Sequence, residues 1–161
     1  MSKSDPVVIV GMARTPMGAF QGAFSSLSAH DLGAAAIKAA LEESGVSAEK
    51  VEQIFMGCVL QAAQGQAPAR QAALKAGLPQ SCEATTVNKV CGSGMQSAML
   101  AHDLIKAGTA DIMVAGGMES MTNAPYLMPG ARAGLRMGSS TVLDSMMSDG
   151  LTDPYAGQAM G

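Results

Sequence analysis

Apolar and polar residues fall into blocks along this chain, and the blocks change period. Residues 6–10, PVVIV, form a short apolar run that stops at Gly11, the pattern of a buried strand. A loop, ARTPMGAFQGAFSSLSAHD, follows. From Ser28 or Asp31, either of which can cap a helix, apolar residues recur with helical spacing at Leu32, Ala35, Ala36, Ala39, Ala40 and Leu41. Gly45 is placed to end that helix in a left-handed turn. Residues 51–59 contain a second apolar run, IFMGCV. Residues 68–76 predict a helix with proline near its start and Gly77 after its end. Residues 83–90 read as a third strand, 91–107 as a helix stopped by Gly108, and ADIMVAGGMES as a fourth strand.

Strands that alternate with helices specify an α/β chain with right-handed crossovers and a mostly parallel sheet covered on both faces. After Met118 the pattern becomes irregular. Seven glycines and prolines lie from Pro125 to Pro154, and six methionines from Met121 to Met160. Such a stretch is a long excursion from the sheet, of the kind that builds lids, binding loops or subunit contacts. Methionines there either fill gaps in a core or form an adaptable surface facing an apolar ligand or partner. No helix or strand closes the pattern at GQAMG, so the expectation is the first part of a larger protein.

Composition narrows the function. Only 3% of the 161 residues are aromatic, and the ten Lys and Arg residues are scattered in a chain of net charge −3. That pattern carries no nucleic-acid footprint. The 48% hydrophobic content comes without any run long enough to span a membrane. The N-terminal residues have no signal-peptide anatomy. Three cysteines at 58, 82 and 91 fit neither a disulfide framework nor a metal site, which points to a reducing, cytoplasmic setting.

Cys91 stands apart from the other two. It falls where the third strand should turn into a helix, and chemistry in doubly wound sheets sits at the carboxyl ends of the strands. The unpaired N–H groups and partial positive charge of a helix start stabilise a thiolate. Gly92, Ser93 and Gly94 clear space for a substrate carbonyl and leave N–H groups for a developing oxyanion. The helix behind carries Met95, Ala98, Met99, Ala101, Leu104 and Ile105 around much of its circumference, which predicts that it is mostly buried. On spacing alone, a lone cysteine there is also readable as a small buried hydrophobe. Cys58 and Cys82 open no helix and read as structural. Of the two histidines, His30 reads as a cap or surface residue. His102 lies roughly 16 Å along the helix from Cys91, too far to act as its base. A nucleophilic cysteine needs a base, so the base must come from outside this sequence.

These residues also resemble a known family. VNKVCGSGMQSAMLA, AGGMESMTNAPYLM, ARTPMGAFQGAF and GQAPARQAALKAGLP are similar to thiolase motifs, most closely those of the acetyl-CoA C-acetyltransferase type, and their order spans the whole chain. The resemblance implies a thiolase-like layered sandwich. Residues 1–120 would form the first βαβαβαβ half and residues 121–161 the start of an inserted, Met-rich loop domain. It implies that Cys91 takes up the acyl group as a thioester, with its own N–H helping to form an oxyanion hole. The catalytic His, Asn and second Cys of the family belong to motifs of a C-terminal half that this sequence does not contain. DGLTDPYAGQAMG resembles a segment lining the pantetheine tunnel, with Leu151 and Met160 at its apolar, cofactor-binding positions. Ala159 stands where some members carry a histidine.

The implied reaction condenses two acetyl-CoA to acetoacetyl-CoA, or reverses that step, with coenzyme A thioesters as substrates and no permanently bound cofactor or metal. The resemblance also implies a homodimer through residues 84–88, doubled into a tetramer through the Met-rich loop. A longer-chain 3-ketoacyl-CoA thiolase and a non-catalytic assembly module remain as alternatives.

Overall fold

A computed structural model describes residues 6–160. Three strands form a parallel sheet in the order β2-β1-β3, where β1 is Gln53–Gly57, β2 is Glu83–Val87 and β3 is Met113–Gly117. The register sets Ile54 beside Ala84 and Val114, and Gly57 beside Val87 and Gly117. Three helices connect and cover the strands: α1, Ala29–Ser44; α2, Pro68–Ala76; and α3, Ser93–Ala107. Ile54 and Met56 of β1 are buried with Ile37 of α1 and Ala69, Ala72 and Ala73 of α2. Alanines on the helices let α1 and α2 lie close to this face. Gly57, one residue along from Met56, meets α3 instead, so α3 covers the opposite face.

Local signals account for the helix boundaries. Ser28 is the N-cap of α1, and its hydroxyl accepts from the Asp31 N–H at 3.2 Å. The Asp31 carboxylate accepts in return from the Ser28 N–H at 2.9 Å, which completes a capping box. The same carboxylate pairs with the Lys75 ammonium of α2, tying the two helices together. Gly45, Gly77 and Gly108 end the three helices with φ of 66°, 93° and 76°, all left-handed. The N-terminus of α2 draws on the sheet, because the Ala69 N–H donates to Thr86 Oγ1 at 3.0 Å.

Several expectations need correction. Residues 6–10 pair with no strand among the described residues, and Val8, Ile9 and Val10 are exposed. The run is apolar enough for a strand, but a strand is stable only with a ladder partner, and none lies beside it. It continues against the end of α1, where the Met12 N–H donates to Glu43 Oε2 at 2.7 Å. The third strand stops at Val87, three residues early. Helix α3 begins at Ser93, so Cys91 lies just before the Gly92 cap and does not open the helix. Nor is α3 mostly buried. Ser93, Ser97 and Ala101 form its buried stripe, whereas Met95 is 73% and Met99 53% exposed. An apolar circumference says that a helix suits burial, but one sheet covers only one stripe of it.

Beyond Met118 the chain is irregular, as the pattern predicts. It contains a two-residue antiparallel ladder, β4 (Tyr126–Leu127) with β5 (Leu143–Asp144), and a wide π-helical turn at Met146–Leu151. Of the six methionines, only Met146 escapes high exposure, and Met137 is 96% exposed. The adaptable-surface reading fits these residues better than gap filling.

The capping box and the ion pair give a prediction. The hydrogen bond from Lys75, then those from Ser28, hold the Asp31 carboxyl well below the usual carboxylate range. Its stabilising effect is therefore complete above the unfolded value near 4 and fades as pH falls below it. Ser28→Ala should cost about 1 kcal/mol in urea unfolding at neutral pH. The stability gap between wild type and Asp31→Asn should narrow steadily from pH 5 to pH 2. A gap unchanged over that range would show that the carboxylate contributes nothing.

Candidate active site

The carboxyl ends of the three parallel strands open onto one cleft of ≈ 810 Å³, a size typical of small-molecule sites. Five stretches enclose it. The loop 13–20 and Phe24 form one wall, and Gly57 to Leu60, just after β1, form the floor. The turn Val90–Gly94 carries Cys91, and residues 117–122 leave β3. Met146, Gly150 and Leu151 of the irregular region close the far side. The Gln21 N–H donates to Thr122 Oγ1 at 2.9 Å, which ties the first wall to the stretch leaving β3.

Cys91 is exposed and lines this cleft, whereas Cys58 and Cys82 are buried. Burial, followed by the Glu119 carboxylate, pushes the Cys58 thiol up to about 12. Burial also raises Cys82, partly countered by the Arg70 guanidinium. Both groups therefore stay protonated and shielded at neutral pH, which makes them poor nucleophiles.

The turn around Cys91 is closely bonded. The Val90 N–H donates to Asn88 Oδ1 at 3.0 Å, and Val90 has a φ of 49°, unusual for a β-branched residue. Gly92 N–H donates to the Lys89 carbonyl and Ser93 N–H to the Val90 carbonyl, each at 3.1 Å. These two N–H groups are thus not available to an oxyanion, contrary to expectation, because the turn closes on itself before the helix starts.

The turn can lie this close to the sheet because of Gly57. A Cβ there would stand 2.7 Å from Ser93 Cβ and 3.0 Å from Gly94 N. Any side chain at position 57 would lift the first turn of α3 off β1.

Sequence reasoning missed Glu119. Its carboxylate accepts from the Val59 N–H at 2.9 Å and the Leu60 N–H at 3.0 Å, and the Cys58 thiol lies 3.5 Å away. It fixes the chain leaving β1, on the cleft floor. The available signal was its place: an acid directly after a strand that ends in paired glycines, at the edge where ligands bind.

The other candidates divide. Leu151 shares the cleft with Cys91. Met160 does not line it; its N–H donates to the Leu151 carbonyl at 2.7 Å, and its side chain is 47% exposed. His30 lies within α1, where its Nδ1 is buried without a partner. His102 is exposed, with Nδ1 3.0 Å from the Asp103 carboxylate. Neither histidine lines the cleft. Among the described residues, no group of three or more His, Cys, Asp and Glu side chains is placed to hold a metal ion, and no helix is long and apolar enough to cross a membrane.

The chain is similar to proteins named acetyl-CoA acetyltransferase. The chain is 54% identical over 155 residues to an acetyl-CoA acetyltransferase of Cupriavidus necator, covering 96% of this chain and 39% of that protein. It is 56% identical over 155 residues to acetyl-CoA acetyltransferase 1 of Arabidopsis thaliana, covering 96% of this chain and 37% of the relative. A cytosolic acetyl-CoA acetyltransferase of Gibberella zeae is 50% identical over the whole chain, which covers 41% of that relative. The chain thus spans about two fifths of the length of the curated relatives it matches. The family pattern described as the thiolase N-terminal domain matches residues 7–161, and on that match the chain belongs to the thiolase family.

Proposed function

We propose that this chain is the nucleophile-bearing part of an acyltransferase that condenses two acetyl-CoA to acetoacetyl-CoA and free CoA, or runs the reverse thiolysis. The observation that carries this reading is the contrast among the three thiols: Cys91 alone is exposed, and it lines the cleft at the carboxyl end of a parallel sheet. The acetyl-CoA acetyltransferase names of the relatives supply the substrate class.

In this reading the Cys91 thiolate attacks the carbonyl carbon of acetyl-CoA. The C–S bond to CoA breaks, and CoA leaves after taking up a proton. A base removes a proton from the methyl carbon of a second acetyl-CoA, and the carbanion attacks the acetyl-Cys91 carbonyl. A carbon–carbon bond forms, Cys91 departs as thiolate, and acetoacetyl-CoA is released. Two half-reactions through one thioester give ping-pong kinetics. The Cys91 N–H assists the oxyanion. Leu151 lines the path of the pantetheine arm, and Met160 flanks it through its backbone bond to Leu151. No permanently bound cofactor enters.

The reading divides the chain into a half-domain, residues 1–120, and the beginning of a loop domain, 121–161. A second half, absent from this sequence, supplies the base. The exposed Met95, Met99 and Val8 to Val10 are the apolar surface that such a half would cover. The enzyme works in a reducing cytoplasm, in fatty acid metabolism. Strand β2 is an edge of the sheet, and an unpaired edge of this composition favours pairing with a second copy across a two-fold axis. Residues 84–88 form that contact, and the Met-rich loop pairs two dimers.

Three expected outcomes follow from this reading. Acetyl transfer from radiolabelled acetyl-CoA, mapped by peptide mass, should label Cys91 and leave Cys58 and Cys82 unmodified. Label on either buried cysteine would remove Cys91 from its role. Without a base, the chain alone should cleave acetoacetyl-CoA at least a thousandfold more slowly than a complete thiolase, on the order of what loss of one member of a nucleophile–base unit costs. Near-full thiolysis would show that the base lies within it. For the dimer, Thr86 is a poor test position because it also bonds α2, but Thr85 is exposed. Thr85→Lys should convert a sedimenting dimer into monomer, and a dimer that survives it would place the interface elsewhere.

A further inference from the structure

Ser93 is the first residue of α3, one past its Gly92 cap. A serine in the capping position would turn its hydroxyl to the N–H groups of the helix that follows. Here the hydroxyl turns the other way. Ser93 Oγ accepts from the Lys89 N–H at 2.8 Å and donates to the Val90 carbonyl at 2.6 Å. It bridges the two residues that precede Cys91, from the side that follows it. Ser93 itself is 4% exposed, while Lys89 and Val90, which it joins, lie at the surface.

What the bridge encloses is strained. Val90 has φ +49°, in a region that β-branched side chains rarely occupy. Such a conformation persists only where its surroundings over-determine it. From the strand side the Asn88 carboxamide accepts the Val90 N–H at 3.0 Å. From the helix side the Ser93 hydroxyl holds the Val90 carbonyl. Ser93 is seated directly against Gly57, where an added Cβ would stand 2.7 Å from the Ser93 Cβ.

We propose that Ser93 is a positioning residue for acyl transfer: its hydroxyl locks Val90 in the left-handed conformation that presents Cys91 to the cleft. Without it, Val90 relaxes to negative φ, the Val90–Cys91 peptide rotates, and the thiol leaves its place on the cleft wall. The proposal rests on the reading of Cys91 as the acyl acceptor.

Two alkylating reagents separate position from mere exposure. Chloroacetyl-CoA reacts only from a defined pose in the cleft, whereas iodoacetamide needs no pose. Each attacks through its CH₂ carbon, forms a carbon–sulfur bond and expels halide, with the thiol proton lost to buffer. Peptide mass spectrometry reads the rate at Cys91 in this chain, and urea unfolding runs alongside. In Ser93→Ala the chloroacetyl-CoA rate should fall between about tenfold and a hundredfold, the scale of a small misplacement, with the iodoacetamide rate within about twofold. Adding Val90→Gly, which accepts positive φ without strain, should recover most of the chloroacetyl-CoA rate, whatever the urea midpoint does. If Ser93→Ala fails to fold, Asn88→Ala is read in its place and should shift the ratio the same way. A wild-type chain with no preference for chloroacetyl-CoA overturns the acyl-CoA reading and this proposal with it. A wild-type preference that survives the substitution, or a loss that Val90→Gly does not relieve, overturns the proposal alone.

Discussion

The contact on which the site depends is the approach of α3 to β1 at Gly57. The sheet is built for it: Gly57 ends β1 beside Gly117 of β3, so the carboxyl edge carries little side-chain bulk where the helix begins. Because the first turn of α3 rests directly on backbone, the residues before it must reverse direction in very little space. The positive φ of Val90 is the result. Cys91 then projects into the cleft from a turn braced on both sides, not from a loop free to wander. Rigidity of this kind is what a nucleophile needs if its reaction is to depend on geometry.

The three thiols illustrate how one fold assigns different chemistry to the same side chain. Cys58 follows β1 and Cys82 precedes β2, both inside the core packed beneath α1 and α2. Glu119 makes the difference sharper, since its carboxylate both anchors the chain after β1 and raises the Cys58 thiol further. Cys91 lies past the end of β2, outside that core. Cys58 and Cys91 both follow the carboxyl end of a strand, so burial, not the strand end, separates the inert thiol from the accessible one.

The helices were legible in the sequence because their signals are local. Ser28 with Asp31, Pro68, and the glycines at 45, 77 and 108 act within a turn of where they stand, and each marks its boundary as expected. The strands β1, β2 and β3 were legible as apolar runs between turn residues. What failed depended on partners. Among the described residues, the run Val8–Val10 has strand composition but no neighbour to pair with, and the methionines of α3 have apolar character but no surface above them. The cysteine was legible as a candidate from its place between strand and helix. The bracing of its turn was not, because the sequence carries no sign of which backbone groups a serine hydroxyl will meet, and that of Ser93 faces backward. Glu119 was hidden for a similar reason, since its partners lie about sixty residues earlier in the chain.

The order of strands in the sheet has a consequence for how the chain assembles. The central strand, β1, is the first of the three to leave the ribosome, and each neighbour reaches it only after a complete helical crossover. Both flanks of β1 therefore stand open during synthesis, and the second closes only when β3 has emerged. Closing such long loops is entropically slow, and unpaired parallel strands are exposed to wrong partners meanwhile. The turn bearing Cys91 lies between β2 and β3, and the first turn of α3 rests against both β1 at Gly57 and β3 at Gly117. The wall that carries the Cys91 thiol is thus complete only when both crossovers are in place.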